Sequence, residues 1–352
     1  MDLKEIYLTS LARCAPDALV RTHVTADMPR NVVAIGKCAG ALLDGVAAVH
    51  DIDSAFVALP EGYPPPAAVN PAIEVHVGGH PQYTRGSFAA GRALQDYVDR
   101  HADILFLVSG GGSACVEVPI GDEAHAMRAN AQLIASGKPI GEINAARRAM
   151  SAIKGGRLAA RVRGRAVTLV YSDVSTGALA DVASGPSLPG SEAILVADNT
   201  TLVRAAAQMI GDKADLLEEQ VEGDISSAAA MLAARARSLR PGQVVVAGGE
   251  PTVVVRGDGR GGRCTELAVR FAAQAGRDPD RRYHALFASS DGVDGNSGAA
   301  GVHLDRGLTP PPGWERALAR SDSFPIAAQI GEPIMIAPTG NNLRDLFLVA
   351  CV

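Results

Sequence analysis

Six short apolar runs, each ending in a turn with a polar or charged side chain and five of those turns carrying glycine, constrain this chain more than any other feature. They end in Ile35-Gly36-Lys37, Val108-Ser109-Gly110-Gly111-Gly112-Ser113, Tyr171-Ser172-Asp173, Ala247-Gly248-Gly249-Glu250, Ser290-Asp291-Gly292-Val293-Asp294-Gly295 and Thr339-Gly340-Asn341-Asn342. Runs that are apolar throughout and rich in β-branched residues read as strands buried on both faces of a parallel sheet. Ligands of such sheets lie beyond the carboxyl ends of the strands, where glycine lets backbone amides approach a phosphate.

The alternation extends over the first part of the chain. Strands are expected at 31–35, 55–59, 73–77, 104–108 and 166–171, with helices at 39–50, 87–100, 122–135, 142–161, 200–210 and 226–239. This order predicts an α/β fold with a Rossmann-like doubly wound parallel sheet and right-handed crossovers. Beyond Arg240-Pro241-Gly242 the texture changes. Segments 243–246 and 252–256 flank Gly248-Gly249-Glu250-Pro251 and read as an antiparallel pair; a helix at 265–275 and strands at 284–288 and 333–337 complete a second, smaller mixed α/β domain. The expected domains are 1–225 and 226–352, with the seam placed within 211–242.

Composition narrows the function classes. With 352 residues and 47% hydrophobic content the chain buries a full core, and a net charge of -5 argues against a nucleic-acid-binding surface. Arg157, Arg161, Arg163 and Arg165 read as a solvated helix end. Five scattered cysteines without a C-x-x-C pair point to a reducing cytoplasm. The opening Met1-Asp2-Leu3-Lys4-Glu5 has no apolar core of a signal peptide, and no run approaches the ~18 apolar residues of a membrane span. The expected partner is a small molecule, with no nucleic acid and no membrane, for a monomer or homodimer.

The turns supply the candidate chemistry. Ser109, Gly110, Gly111, Gly112 and Ser113 follow a strand and offer several N–H groups and two hydroxyls to phosphate. Lys37, at another strand end, can neutralise a transferring phosphoryl group. Gly257-Asp258-Gly259-Arg260-Gly261-Gly262-Arg263 places two arginines on a loop that opens a helix, suited to an anion. Asn144, Arg147 and Lys154 are spaced to share one face of the expected 142–161 helix. Asp173, Glu250, Asp291 and Asp294 are carboxylates at strand ends that can hold Mg²⁺ or accept a hydroxyl proton. His80, before Pro81, reads as a packed turn histidine. Walker A and G-x-S-x-G motifs are missing and Gly36-Lys37-Cys38-Ala39-Gly40 does not match G-x-G-x-x-G, which weakens P-loop, serine-hydrolase and dinucleotide readings.

Taken together, these segments resemble the glycerate 2-kinase family whose carboxyl-terminal part is the MOFRL domain. The resemblance rests on Gly36-Lys37, Gly79-His80-Pro81, residues 109–113, 143–147 with 153–158, Ser172-Asp173-Val174, Ala183-Ser184-Gly185-Pro186, Gly248-Gly249-Glu250, 257–263, 291–295 with Ala299-Ala300-Gly301, and Pro338-Thr339-Gly340, all in the family's order. It implies ATP-dependent phosphorylation of glycerate at its 2-hydroxyl, with a divalent metal, in a cleft between a large Rossmann-like and a smaller α/β domain. Lys37 and Arg263 match the residues central to activity. Under this reading Lys37, Arg263, Asp291 and Asp294 are catalytic, and the 109–113 turn with Lys154 and Glu250 binds ATP. Asn144, Arg147 and Asn341 then bind the hydroxy acid, and Asp173 and Asp291 hold Mg²⁺. The chain departs from the family at Cys264-Thr265, where an Asn-Gln pair is usual, at Asn296-Ser297-Gly298, where a carboxylate is lost, and at Cys115-Val116-Glu117, where leucines are common. Three alternatives stay in view: a family kinase repurposed for another hydroxylated substrate, an NAD(P)-dependent hydroxypyruvate reductase, and a non-catalytic ligand-binding protein.

Overall fold

The computed structural model describes residues 1–67, 72–138, 140–174, 179–278 and 280–352. In chain order the elements are α1 (Leu3–Arg13), α2 (Pro16–Arg21), β1 (Asn31–Ile35), α3 (Ala39–Ala47), β2 (Ser54–Pro60), β3 (Ile73–Gly78), α4 (Arg85–Arg100), β4 (Ile104–Ser109), α5 (Gly112–Cys115), α6 (Glu123–Ala135), α7 (Ile140–Met150), β5 (Ala166–Tyr171) and β6 (Glu192–Ala197). Then follow α8 (Asn199–Ile210), β7 (Ala214–Leu216), α9 (Ile225–Arg237), β8 (Val244–Gly249), α10 (Arg263–Ala275), β9 (Tyr283–Ser289), β10 (Gly301–Leu304), α11 (Trp314–Leu318), α12 (Ser323–Ile330), β11 (Glu332–Pro333) and β12 (Asp345–Cys351).

The chain divides into two compact units, Ala15–Asp198 and Met1–Cys14 with Asn199–Val352. The first carries a six-stranded sheet in the order β3-β2-β1-β4-β5-β6, parallel throughout, as the alternation predicts. Every residue of β4 is buried, because neighbours cover both faces of the sheet. On one face Val33, Ile35, Phe56, Ala58, Phe106 and Val108 pack against Leu94, Tyr97 and Val98 of α4; α3 packs on β1, β2 and β4.

The second unit has a mixed sheet, β11-β10-β9-β12-β8-β7, in which only β7 and β8 run parallel. Val245, Ala247, Phe287, Val302, Phe347 and Val349 join one core with α9, α10 and α12, while α8 packs on β8 and β12 and against α1. The Tyr7 hydroxyl of α1 donates to Ser289 O at 2.6 Å.

Four expectations are corrected. The seam falls at Asp198/Asn199 and not within 211–242, because α8, expected in the first domain, buries Leu202, Val203 and Ala206 and packs in the second unit, which also claims the first fourteen residues. The 142–161 helix stops at Met150, since Ser151 bridges to Pro119 and Gly155 and Gly156 take φ +63 and +79. The 243–246 and 252–256 segments do not pair with each other: β8 pairs with β12 and β7, and Thr252 makes one isolated bridge to Asp224. The 333–337 strand shrinks to β11. The central strand β12 was not foreseen. Phe347 in it is fully buried, with its ring 5.9 Å from that of Phe287. Phe347→Ala is expected to lower the unfolding free energy by about 3–5 kcal/mol, measured by urea denaturation.

Candidate active site

In the unit Ala15–Asp198 the strand order reverses between β1 and β4, and two of the glycine turns meet there. Gly36 has φ +115, and a Cβ on it would lie 2.4 Å from Ser109 O and 2.8 Å from Gly110 O. Without that carbon the backbones close up. Lys37 N–H donates to Gly110 O at 2.9 Å, Cys38 N–H donates to Ser109 Oγ at 3.1 Å, and Ser109 Oγ donates to Ile35 O at 3.3 Å. The Lys37 stem runs along Gly111, where a Cβ would sit 2.8 Å from its Cγ, and its ammonium lies 5.7 Å from the Tyr63 ring centroid. Gly111, at φ +81, turns the chain into α5. The first amides of a helical turn have no acceptor within it, so Gly112 and Ser113 carry the donors an anion requires.

Ser113, Asn144, Arg147 and Asp173 line one cavity of ≈ 140 Å³, together with His80 and Asp181. With Gly111, which lines it too, five of the sequence-predicted residues from three segments are thus brought together. Ser184, buried at φ +61, joins two of them: its Oγ donates to Asn144 Oδ1 at 3.1 Å and lies 2.8 Å from Ser113 Oγ. Arg147 is held by Asn130 Oδ1 at 3.0 Å from Nε and by Pro81 O at 3.4 Å from Nη2.

Lys154 is a different case. It is 1% exposed, donates to Val116 O at 3.1 Å and pairs with Glu117, which also accepts the Tyr83 hydroxyl at 2.7 Å. Burial pushes the Lys154 ammonium below its usual pKa, and the Glu117 carboxylate opposes the shift. The expected contact of Lys154 with a nucleotide is therefore corrected: it is an interior ion pair, and Glu117, one of the departures from the family, is its partner.

In the second unit Arg263 opens α10 and is gripped by two carboxylates. Asp345 Oδ2 and Oδ1 accept from its Nε and Nη2 at 3.2 and 3.1 Å, and Glu250 Oε1 lies 2.9 Å from its Nη1. Glu250 also faces Arg344 Nε at 3.5 Å, so it pairs with two arginines. Asp294, expected to be catalytic, caps α10: it accepts from Cys264 N–H at 2.8 Å, Thr265 N–H at 2.9 Å and Thr265 Oγ1 at 2.8 Å. Asp291 Oδ1 accepts from Ser289 Oγ and Val293 N–H, each at 2.9 Å. Asn341, expected to bind substrate, is buried and donates to Leu11 O at 3.3 Å, tying α1 to its unit. Asp173 and Asp291, named together as metal ligands, belong to different units, and among the described residues no three His, Cys, Asp or Glu side chains cluster to hold a metal. A Mg²⁺ chelated by phosphates asks for only one or two carboxylates, which these residue types fit.

Asp345 and Ser184 were missed by sequence reasoning. The signal for Asp345 was an acid at the head of the apolar run 346–351, where a charge is admitted only with a partner. Burial raises its pKa to about 6 against the pull of the Arg263 guanidinium. The native state therefore holds this proton between the unfolded value of 3.8 and about 6, and stability falls as pH rises through that window. In urea unfolding between pH 4 and 7, Asp345→Asn is expected to flatten that decline. Lys154→Met, which strands the Glu117 charge, is expected to cost about 3–5 kcal/mol, and the Lys154→Met/Glu117→Leu pair far less, read by the same method.

Known proteins resemble this chain over most of its length. The model of a domain of unknown function, DUF4147, matches residues 2–209, and that of the MOFRL family matches 243–345. A glycerate 2-kinase of Sulfurisphaera tokodaii is 28% identical over 79% of this chain and 80% of its own length. A protein of Agrobacterium vitis that carries a hydroxypyruvate reductase name is 29% identical over 98% of this chain and 92% of its own. The crystal structure of a glycerate kinase from Thermotoga maritima superposes with a TM-score of 0.85 at 25% identity, covering 99% of this chain and 98% of that one. No helix among the described residues is long and apolar enough to cross a membrane. With more than half of its residues under the first model and the second following in order, the chain belongs to the DUF4147 family and carries a MOFRL segment after it.

Proposed function

We propose that this chain is a phosphotransferase with an alcohol group as acceptor, and that it moves the terminal phosphoryl group of ATP to the 2-hydroxyl of glycerate. The observation that carries the reading is the meeting of Lys37 with the glycine turn at the reversal between β1 and β4, in a chain similar to glycerate 2-kinases. Phosphoryl transfer asks little covalent chemistry of a protein and is served by positioning and charge stabilisation. The amides at 110–113 bind phosphate oxygens, and the Lys37 ammonium offsets charge on the migrating group. Arg263, held in a fixed orientation by Asp345 and Glu250, is the cation its own unit offers to an anion. Arg147 in the cavity pairs with the acid's carboxylate. With Asp294 and Glu250 committed elsewhere, Asp291 serves to take the alcohol proton. Mg²⁺, when bound, neutralises phosphate charge, and Asp173, which lines the cavity, is the side chain of that unit that would hold it.

The test is a coupled assay for ADP with ATP, Mg²⁺ and glycerate, with ³¹P spectra to identify the product. ADP formation that depends on glycerate and yields the 2-phosphate supports the reading. NADH oxidation by hydroxypyruvate without ATP consumption replaces it with a reductase, and binding of ATP without turnover on any hydroxy acid replaces it with a binding protein. Lys37→Met is expected to lower kcat by about 10²–10³ with an unchanged unfolding midpoint; near-normal turnover would remove Lys37 from the mechanism.

A further inference from the structure

We infer that Ser113 is a hydrogen-bond acceptor for a substrate hydroxyl that is not phosphorylated, and so selects acids with a second hydroxyl. The inference rests on the phosphotransferase reading for the identity of the substrate, and on a proton inventory for the rest. Asn144 faces Asp181 O at 3.4 Å, and a backbone carbonyl only accepts, so the amide nitrogen of Asn144 points there. Its Oδ1 therefore faces Ser184 Oγ at 3.1 Å, and Ser184 must donate its one proton to it. The 2.8 Å contact between the two serine oxygens then runs on the proton of Ser113.

Ser184 is in no position to turn away. It is fully buried, Ala183 and Ser184 take φ of +52 and +61, and its carbonyl accepts Gly155 N–H at 3.2 Å. Backbone in this region is sparsely populated by residues other than glycine and persists where its surroundings over-determine it.

Ser113 thus lines the ≈ 140 Å³ cavity with its proton already spent, and it presents lone pairs. A phosphate oxygen presents lone pairs too and is a poor match; a hydroxyl can donate. This redirects the Ser113 side chain away from the phosphate-binding role expected for it, while its amide keeps that role. The reacting alcohol must surrender its proton to a base, and the chain Ser113–Ser184–Asn144 ends at an amide oxygen that takes none. The hydroxyl that Ser113 accepts from is therefore the one that keeps its proton. In glycerate phosphorylated at C2 this is the 3-hydroxyl, with the carboxylate on Arg147 in the same cavity.

Calorimetric binding and steady-state kinetics with glycerate, and with lactate, the same acid without the 3-hydroxyl, test this on the full chain. Ser113→Ala is expected to weaken glycerate binding and raise its KM about tenfold, the effect of one neutral hydrogen bond. It should leave lactate binding and the KM for ATP unchanged, and Ser113→Thr, which keeps the oxygen, should restore the preference for glycerate. Equal glycerate affinity in wild type and Ser113→Ala overturns the inference, as does a raised KM for ATP with glycerate unaffected. Wild-type protein that binds glycerate but never phosphorylates it refutes the phosphotransferase reading alone, and wild-type protein that binds no glycerate refutes both.

Discussion

Two backbones meet at the ends of β1 and β4 at a distance that only glycine at position 36 permits, and the site of this unit is built on that contact. The missing Cβ lets Lys37 N–H reach Gly110 O, which locks the lysine turn to the glycine turn. From there the consequences are local. The Lys37 stem is laid along Gly111, Gly111 takes a left-handed conformation, and α5 begins with its first amides beyond the strand ends. The contact lies where the strand order reverses, between β1 and β4, the place at which parallel sheets of this kind open to ligands.

Each unit also carries an arginine or lysine held by carboxylates, and the two differ in what they do. Lys154 and Glu117 are sealed from water, and Tyr83 satisfies one of the carboxylate's oxygens. Such a pair costs desolvation and returns a specific local arrangement of the segments it joins, here the stretch after α5 and the stretch after α7. Arg263 keeps 36% of its side chain exposed while Asp345 is wholly buried. One end of its guanidinium is fixed by a fork of two hydrogen bonds, and the cation stays presented to its surroundings.

Much of the parallel sheet was legible because a strand buried on both faces is a continuous apolar run, and β1 and β4 have no polar residue to blur it beyond their ends. The antiparallel half was less so. Asp345 through Cys351 is just such a run, yet nothing local announces that it inserts between β8 and β9, far earlier in the chain. The pairing of 243–246 with 252–256 looked sound on turn chemistry alone and lost to that insertion, because β12 offers β8 a partner six residues long. The helix over 142–161 failed for a comparable reason, since two left-handed glycines and a bridge from Ser151 to Pro119 outweigh its helical spacing.

By itself the amino-acid sequence determined the fold class of the first unit, the glycine turns and the kinship to glycerate kinases, because these rest on local pattern, on spacing and on motif order. Only the tertiary structure decided the work of each polar residue. Lys37, Ser113, Asn144, Arg147 and Asp173 stand at the switch-point turns and the cavity, whereas Lys154, Asp294 and Asn341 are spent on Glu117, on the amides of α10 and on the carbonyl of Leu11. A buried charge or amide must find a partner wherever the chain brings one. That partner, whether two residues or three hundred away, is fixed by packing and is not written in the residue's own neighbourhood.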